Sequence, residues 1–419
     1  MRSVVRIRKG RKPKDVSRDR LAAVPVDGDP RRQRVAMIQA LIPMGLEKVQ
    51  EELLHELEEL TGPRYARQGG EEGLVRWGSQ RGSVYLLDQK VPVTVPRVRD
   101  QRRDREVPLE SYQMLQSRAT ADRSFFGRIL AGLSCRDYER TCRLDPESVG
   151  LSASTISRRF IAASAAKLRE LRERRLEEID VVAVFLDGKV FAQEMVVLAV
   201  GITVQGEKKL LGFTQTTTEN EVACRDLLRD LVDRGLSAEE GLLFVVDGGK
   251  GLRKAISTVF GRKTPVQRCQ WHKRENVVSY LPKSRQALMR KRLQRAQEEP
   301  DYKKAKAALM KIHGEVEVEN ESAARSLLEG LEETLMLQKL GLFRELGRSF
   351  KTTNVIESVQ GGIGQRTEKV DHWKNSNQLH RWYASALLEI EPRLRKVCGY
   401  KHLYKLRQAL GKPEQAKAA

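Results

Sequence analysis

Between Asp180 and Glu275 the chain alternates short apolar runs with turn residues. Val181 to Leu186 leads into Asp187-Gly188, Met195 to Val204 into Gln205-Gly206, Lys209 to Thr214 makes a third run, and Leu242 to Val246 closes on Asp247-Gly248. Runs of this length, rich in β-branched and aliphatic residues and bounded by Gly and Asp, predict strands. Glu221 to Arg234 carries a helical pattern, so the third and fourth strands are joined by a crossover, and Pro265 to Arg268 reads as a fifth short strand. The pattern predicts an α/β fold with a mixed sheet: a meander of three strands, then strands that return through helices. Sites in such sheets form at the carboxyl ends of the strands, so Asp187 and Asp247 converge if their strands are neighbours. Taken alone, Asp187-Gly188 is also ordinary hairpin-turn chemistry.

Upstream, Arg34 to Leu41 has a short helical pattern that meets Pro43-Met44-Gly45, and a second helix is expected to run to Leu60 with Leu46, Val49, Leu53, Leu57 and Leu60 on one face. Gly62-Pro63 ends it. Gly82 to Arg99 alternates and predicts a small β hairpin, which Pro92 and Pro96 confine to an edge. Ser124 to Ala166 is helical and broken once, near Asp145-Pro146 and Val149-Gly150, with Phe125, Phe126, Ile129, Leu130 and Leu133 on an apolar face.

The 419 residues exceed one comfortable core. Lys and Arg total 77 against 56 for Asp and Glu, a formal charge of +21, which favours a polyanionic partner such as nucleic acid. No apolar stretch approaches the roughly 20 residues needed to span a bilayer, and the basic N-terminus lacks the apolar core of a secretory signal. Five scattered cysteines argue against a disulfide framework, so the cytoplasm or the nucleoid is the expected compartment. The basic cluster from Arg6 to Lys14 reads either as a solvated tail or as an arm that tracks DNA.

The charge gives weight to Ser152 to Phe160. Small polar residues at a helix start, here Ser154 and Thr155, followed by Arg158 and Arg159, are what a helix-turn-helix reader presents to base edges and phosphates. An ordinary capped helix is the alternative. Lys167 to Glu178 continues as a charged connector helix.

After Asp247 the glycines of Gly248-Gly249-Lys250-Gly251 have not the spacing of a P-loop, and are expected to let the chain turn closely beside Asp247. Cys269-x-x-His272 is half a zinc site by spacing, but no second pair follows; a structural Cys and His beside the acidic site is the preferred reading. From Asn276 to about Ser349 the pattern becomes long helices rich in Lys, Arg, Glu and Leu. Thr352-Thr353-Asn354-Val355-Ile356-Glu357 then opens another helix, with Thr353 or Asn354 as N-cap, and Arg366, Lys369 and Lys374 follow on further basic helices.

Asp-Gly after the first strand, Asp-Gly-x-x-Gly-Leu after the fourth, Arg-Cys-x-x-His-Lys after the fifth, and Thr-Thr-Asn-x-Ile-Glu beyond a helical block resemble the prokaryotic insertion-sequence transposases of the Mutator superfamily. The resemblance covers Val181 to the end, with a looser likeness up to Asp100. It implies an RNase H-like core interrupted by an all-α insertion, with a DDE triad at Asp187, Asp247 and Glu357 and a structural signature at Cys269 and His272. It further implies Mg²⁺ or Mn²⁺ held by the triad, and DNA strand cleavage followed by strand transfer. The partners would be double-stranded DNA, as terminal inverted repeats and target, and further copies of the chain, at least a dimer on DNA. DNA contacts are expected from Ser154, Thr155, Arg158, Arg159, Arg366, Lys369 and Lys374. The expected domains are a basic N-terminal region with helix and hairpin (1–115), a helix-turn-helix-like region with connector helix (116–180), the first part of the core (181–285), the all-α insertion (286–350), and the Glu357 helix with basic C-terminal helices (351–419). Two competing readings are a non-catalytic DNA-binding regulator with a decayed core, against which the three intact acidic positions argue, and a simple RNase H-like nuclease, which leaves the N-terminal region unexplained.

Overall fold

The computed structural model describes residues 30–65, 73–86, 89–116, 121–143, 150–191, 193–217, 220–370 and 372–411. The basic cluster at Arg6 to Lys14 and the last eight residues lie outside them. The chain divides into two compact units, residues 1–160 and 161–419.

In the first unit, helix α1 (Pro30–Thr61) runs without interruption through Pro43 and Gly45, where a break was expected. An internal proline removes one helical hydrogen bond, while the stripe Val49, Leu53 and Leu57 downstream is buried and holds the helix to its sheet. Gly62, at φ 74°, then stops it. The expected hairpin is a three-stranded antiparallel sheet, β1 (Leu74–Leu86), β2 (Gln89–Asp100) and β3 (Arg105–Val107). Strand β2, with Pro92 and Pro96, is thus central in order, not an edge. Its prolines are tolerated because β3 pairs only with Val98 to Asp100, so β2 needs no donor on that side at residues 92 and 96. Helices α2 (Glu110–Leu115), α3 (Ala121–Leu130) and α4 (Tyr138–Cys142) follow, so the helical stretch after Ser124 is interrupted twice before α5 (Ala153–Glu173). Helix α5 joins the expected reader helix and the expected connector into one element, and the division between the units falls within it.

The second unit is built on β4 (Val181–Phe191), β5 (Glu194–Thr203), β6 (Lys208–Thr216), β7 (Leu243–Val246) and β8 (Val266–Arg268), in the order β6-β5-β4-β7-β8. The first three are antiparallel; β7 and β8 return parallel to β4. Helix α6 (Glu221–Asp233) makes the first crossover and α7 (Lys250–Phe260) the second. The central strands read as unbroken apolar runs because both faces are covered. Val184 and Leu186 pack with Leu228 of α6 and Ile256 of α7 on one side, while Ala183 and Phe185 face the other. There they meet α14 (Phe343–Phe350), α15 (Asn354–Thr367) and α16 (Ser376–Ile390).

Helices α8 (Gln270–Ser279), α9 (Lys283–Gln297), α10 (Tyr302–Glu319), α11 (Glu321–Leu328), α12 (Leu331–Thr334) and α13 (Met336–Lys339) intervene between β8 and α14, and α17 (Leu403–Gly411) ends the described chain. The block has its own core, with Val277 and Leu293 packed against Leu309 and Leu327. Polar side chains tie it to the sheet. Gln267 of β8 donates to Thr334 O and accepts from Leu337 N, and Lys273, 1% exposed, donates to Ser326 O and Glu329 O at the end of α11. Lys273→Met keeps the length but takes the side-chain donor from Ser326 O and leaves Glu329 O to Arg268 alone, so it is expected to lower unfolding free energy by about 1–3 kcal/mol, read from urea denaturation. An unchanged midpoint would place that attachment elsewhere.

Candidate active site

Strand β4 does not end at Asp187. It continues through Gly188 to Phe191, with Asp187 opposite Leu198 and Gly188 opposite Val197, and the turn into β5 lies beyond, next to Gln193 at φ 68°. The hairpin-turn reading of Asp187-Gly188 is therefore excluded: Asp187 is a strand residue, 6% exposed. Side chains alternate across a strand, so Asp187 shares the face of Ala183 and Phe185, toward α15 and α16. Tyr383 of α16, 2% exposed, responds to it. Burial raises the Tyr383 hydroxyl well above its ordinary pKa, and the Asp187 carboxylate adds to the rise.

Asp247 arrives from the neighbouring strand. Leu186 of β4 pairs with Val246 of β7, so the next residue of each strand is an aspartate, and the two backbones lie side by side. Beyond Asp247 the chain turns at Gly248, φ 108°, where an added Cβ would fall 2.0 Å from Arg268 Nε. Only glycine permits both the angle and the approach. Asp247 Oδ1 accepts from Gly249 N at 2.9 Å, which fixes the carboxylate at the start of α7.

The third strand end brings Cys269 and His272. Cys269 N donates to Val246 O at 2.7 Å, so the cysteine sits beside the end of β7, and His272 follows in the first turn of α8. A hydrogen bond with the Cys269 sulfur pushes the His272 imidazole up to about 9; burial opposes this, and the negative charges of Cys269, Asp187 and Asp247 add to it. For Cys269, burial alone would raise the thiol, but His272 outweighs it and the net shift is downward. Each group of the pair thus favours the charged form of the other: His272 lowers the thiol and Cys269 raises the imidazole.

Glu357 stands in the first turn of α15, exposed, while Val355, Ile356 and Val359 are buried. The helix start is held near the third strand end: Gln270 N donates to Lys351 O at 2.8 Å, and the Thr353 hydroxyl donates to Cys269 Sγ at 3.8 Å. Thr353 occupies the N-cap position, yet its side chain does not cap the helix because it is turned to the sulfur. Among the described residues no three His, Cys, Asp or Glu side chains gather closely enough to hold a metal. The structure thus joins Asp187, Asp247, Cys269 and His272, and leaves Glu357 on an adjoining helix start. The aspartate pair itself fits a hard divalent cation: both are oxygen donors, one almost out of water, and their repulsion is relieved by a cation between them.

The expected DNA-contacting residues lie apart from this cluster in sequence and differ in environment. Ser154 and Arg158 of α5 are exposed and Thr155 is half-buried, whereas Arg159 lies 4.4 Å over the Phe125 ring. Arg366 donates to Gly362 O within α15, and Lys369 and Lys374 are exposed beyond it. Residues missed by sequence reasoning are Thr353 as a sulfur partner and Tyr383; only the Thr-Thr-Asn motif signalled the former.

The sequence model of the family described as Transposase, Mutator family, matches residues 31–392. The chain belongs to that family. It is 32% identical over 248 residues to the transposase for insertion sequence element IS6120 of Mycolicibacterium smegmatis, covering 57% of this chain and 74% of the relative. It is 26% identical over 310 residues to the transposase for insertion sequence element IS256 in transposon Tn4001 of Staphylococcus aureus, covering 71% and 76%. The transposase for insertion sequence element ISRM5 of Rhizobium meliloti is 26% identical over 381 residues, covering 87% and 92%. No described helix of this Mutator-family chain is long and apolar enough to cross a membrane.

The His272 shift has a testable sign. Its folded value, about 9, lies above the ordinary 6.5, so its contribution to stability is full below about pH 6.5 and is lost as pH rises through 9. In buffer free of divalent metal, the urea midpoint of the wild type is expected to fall more steeply between pH 7 and 9.5 than that of His272→Gln. Parallel curves would remove the charge from His272.

Proposed function

We propose that the chain is a DDE-type DNA transposase that binds the terminal repeats of its element and carries out metal-dependent strand cleavage and strand transfer. The observation that carries this reading is the β4–β7 register, which sets Asp187 beside Asp247 in a chain of a transposase family. On this reading the sheet, with strands in the order β6-β5-β4-β7-β8, is an RNase H-like core, and the helices from α9 to α14 are the insertion that precedes the third carboxylate. Asp187 and Asp247, with Glu357, would hold Mg²⁺ or Mn²⁺, which when bound supplies Lewis-acid activation of a water and later of a terminal 3′-hydroxyl.

The protein's own groups then have separate tasks. The aspartates offer oxygens from two rigid strands, Asp247 pinned by Gly249 N. Cys269 and His272 brace the strand end and stay off the metal, because a thiolate is a soft ligand and these ions prefer oxygen. Glu357 enters on the support of the Thr-Thr-Asn-x-Ile-Glu motif and the anchoring of α15 beside Cys269. The net charge of +21 and the exposed Ser154 and Arg158 support DNA binding by α5. Two element ends call for at least a dimer, acting in the cytoplasm on the nucleoid.

The deciding experiment mixes purified protein, Mg²⁺ and labelled terminal-repeat DNA. Cleavage and joining are expected; cleavage alone indicates a simple nuclease, and retention alone a DNA-binding regulator. Asp187→Asn, Asp247→Asn and Glu357→Gln should each reduce cleavage to background while leaving DNA binding intact. Should Glu357→Gln cut at close to the wild-type rate, the third carboxylate lies elsewhere; Glu315 and Glu345 already pair with Arg292 and Lys405, which leaves Glu368 foremost.

The start of α5 is tested by binding. Arg158→Ala is expected to weaken terminal-DNA affinity by about 1–3 kcal/mol. Arg159→Ala should chiefly lower stability, because its guanidinium stacks on Phe125. Unchanged affinity and salt dependence in Arg158→Ala would take this helix out of the interface.

A further inference from the structure

A cleft of about 480 Å³ opens beside Gly248, between the start of α7 and the junction of α11 with α12. Five cations line it, Lys250, Arg253, Lys254, Arg262 and Arg268, against two carboxylates, Glu329 and Glu333. Part of this charge is matched internally: Arg253 Nε meets Glu333 at 2.5 Å and Lys254 meets Glu221 outside the cleft at 2.5 Å. Two buried guanidinium donors remain. Arg268, 6% exposed, spends Nη1 on Glu329 O at 3.0 Å, but its Nε has no hydrogen-bond partner; neither has Arg253 Nη1.

Buried N–H groups are rarely left unsatisfied, and two arginines leaving such groups at one cleft call for an acceptor from outside. The third contributor is backbone. Helix α7 has eleven residues, its N-cap Gly249 provides no side-chain cap, and Gly249 N is spent on Asp247 Oδ1, so the N–H groups of the first turn proper and the positive end of the dipole lie beside the cleft. The lining carboxylates do not satisfy these two donors: Glu329 lies 3.9 Å from Arg268 Nη2 and from Lys250 Nζ, and Glu333 is spent on Arg253 Nε, whereas an anion with several oxygens at tetrahedral spacing suits all three kinds of donor. Gly248 matters here again, because any side chain there would collide with Arg268 Nε.

We infer that this cleft holds a backbone phosphodiester of the DNA strand engaged at Asp187 and Asp247, gripped by Arg253, Arg268 and the start of α7, with Lys250 and Arg262 at the rim. The inference rests on the proposed DNA reading and adds a site to it. Gly248 of the cleft wall directly follows Asp247, so a strand fixed here is also fixed relative to the acidic pair. The grip is shared: Gly248 and α7 belong to the sheet and its crossover, Glu329 and Gly330 to the helical block. DNA binding therefore also bears on how firmly the block is held to the sheet.

The test uses the full chain and a 30-base-pair duplex, with affinity followed by fluorescence anisotropy across a salt series. Removing a phosphate contact is expected to lower the slope of log affinity against log salt by about 1. Lys250→Ala with Arg262→Ala, both exposed positions, should show that loss with an unchanged melting temperature, and Arg253→Gln should show it independently. Lys303→Ala with Lys304→Ala, on exposed positions of α10, removes the same charge away from the cleft and should leave the slope near wild type. An equal loss in that control, or an unchanged slope in the cleft variants, overturns the site while leaving the DNA reading intact. A wild-type chain that does not bind the duplex overturns both. Inorganic phosphate, titrated at constant ionic strength, separates the remaining source: stabilisation by phosphate with no change in DNA slope assigns the cleft to a free anion and overturns the strand assignment.

Discussion

The parallel pairing of β4 with β7 is the constraint on which the rest depends. Two aspartates more than fifty residues apart become neighbours only because Leu186 and Val246 share a register, and a slip of one residue would turn one carboxylate to the opposite face. That register is held from both sides. Phe185 packs on Phe350 at 5.4 Å between ring centroids, and Phe244 packs on Phe260 at 4.9 Å, on opposite faces of the sheet. Hydrophobic burial thus fixes the spacing of two charges it never touches.

The helical block poses the opposite problem, because a separate core has no apolar reason to stay on the sheet at one place. Polar side chains from the end of β8 and the start of α8 supply that specificity. Gln267 and Gln270 both donate to Thr334 O, Arg268 donates to Glu329 O, and Lys273 reaches Ser326 O and Glu329 O. Carbonyls at the end of α11 are natural partners for cations, since the helix leaves them without intrahelical donors. The arginine and lysine that flank the Cys-x-x-His pair are therefore attachment groups. Their burial is unfavourable in isolation, as the lowering of Lys273 to about 8 by burial and by Arg268 indicates. It is tolerated because each charge finds oxygen.

Much of this was legible in the sequence where periodicity is strong. The five core strands, both crossovers and the separate helical block follow from apolar runs and helical stripes, and the glycine turn beside Asp247 from composition. Local rules failed where a distant partner overrides them. Asp187-Gly188 has turn chemistry, but Leu198 and Val197 of β5 pair with it and carry the strand onward. Pro92 and Pro96 mark an edge only when the partial reach of β3 is unknown. Arg159 looks like a second base reader until Phe125 is found beneath it. Sequence spacing gives the face of a helix and says nothing of what arrives from another element.

Cys269 shows how the separate parts are brought into one place. Its backbone N–H closes on β7, its sulfur meets His272 of α8, and that sulfur also accepts from Thr353, the residue that starts α15. One buried residue therefore joins the end of the sheet, the entry to the helical block and the exit from it. A small, polarisable sulfur suits this position: it accepts long hydrogen bonds, tolerates burial, and has its pKa lowered by the histidine beside it. A carboxylate there would compete with the aspartates for any cation, and an alcohol would not ionise. The Cys-x-x-His spacing, which first suggests half a zinc site, is then explained by helix geometry, since the residue at the N-cap and the residue three positions on lie on the same side of the first turn. By the same contact α15 begins within reach of the strand ends, and Glu357 lies in its first turn.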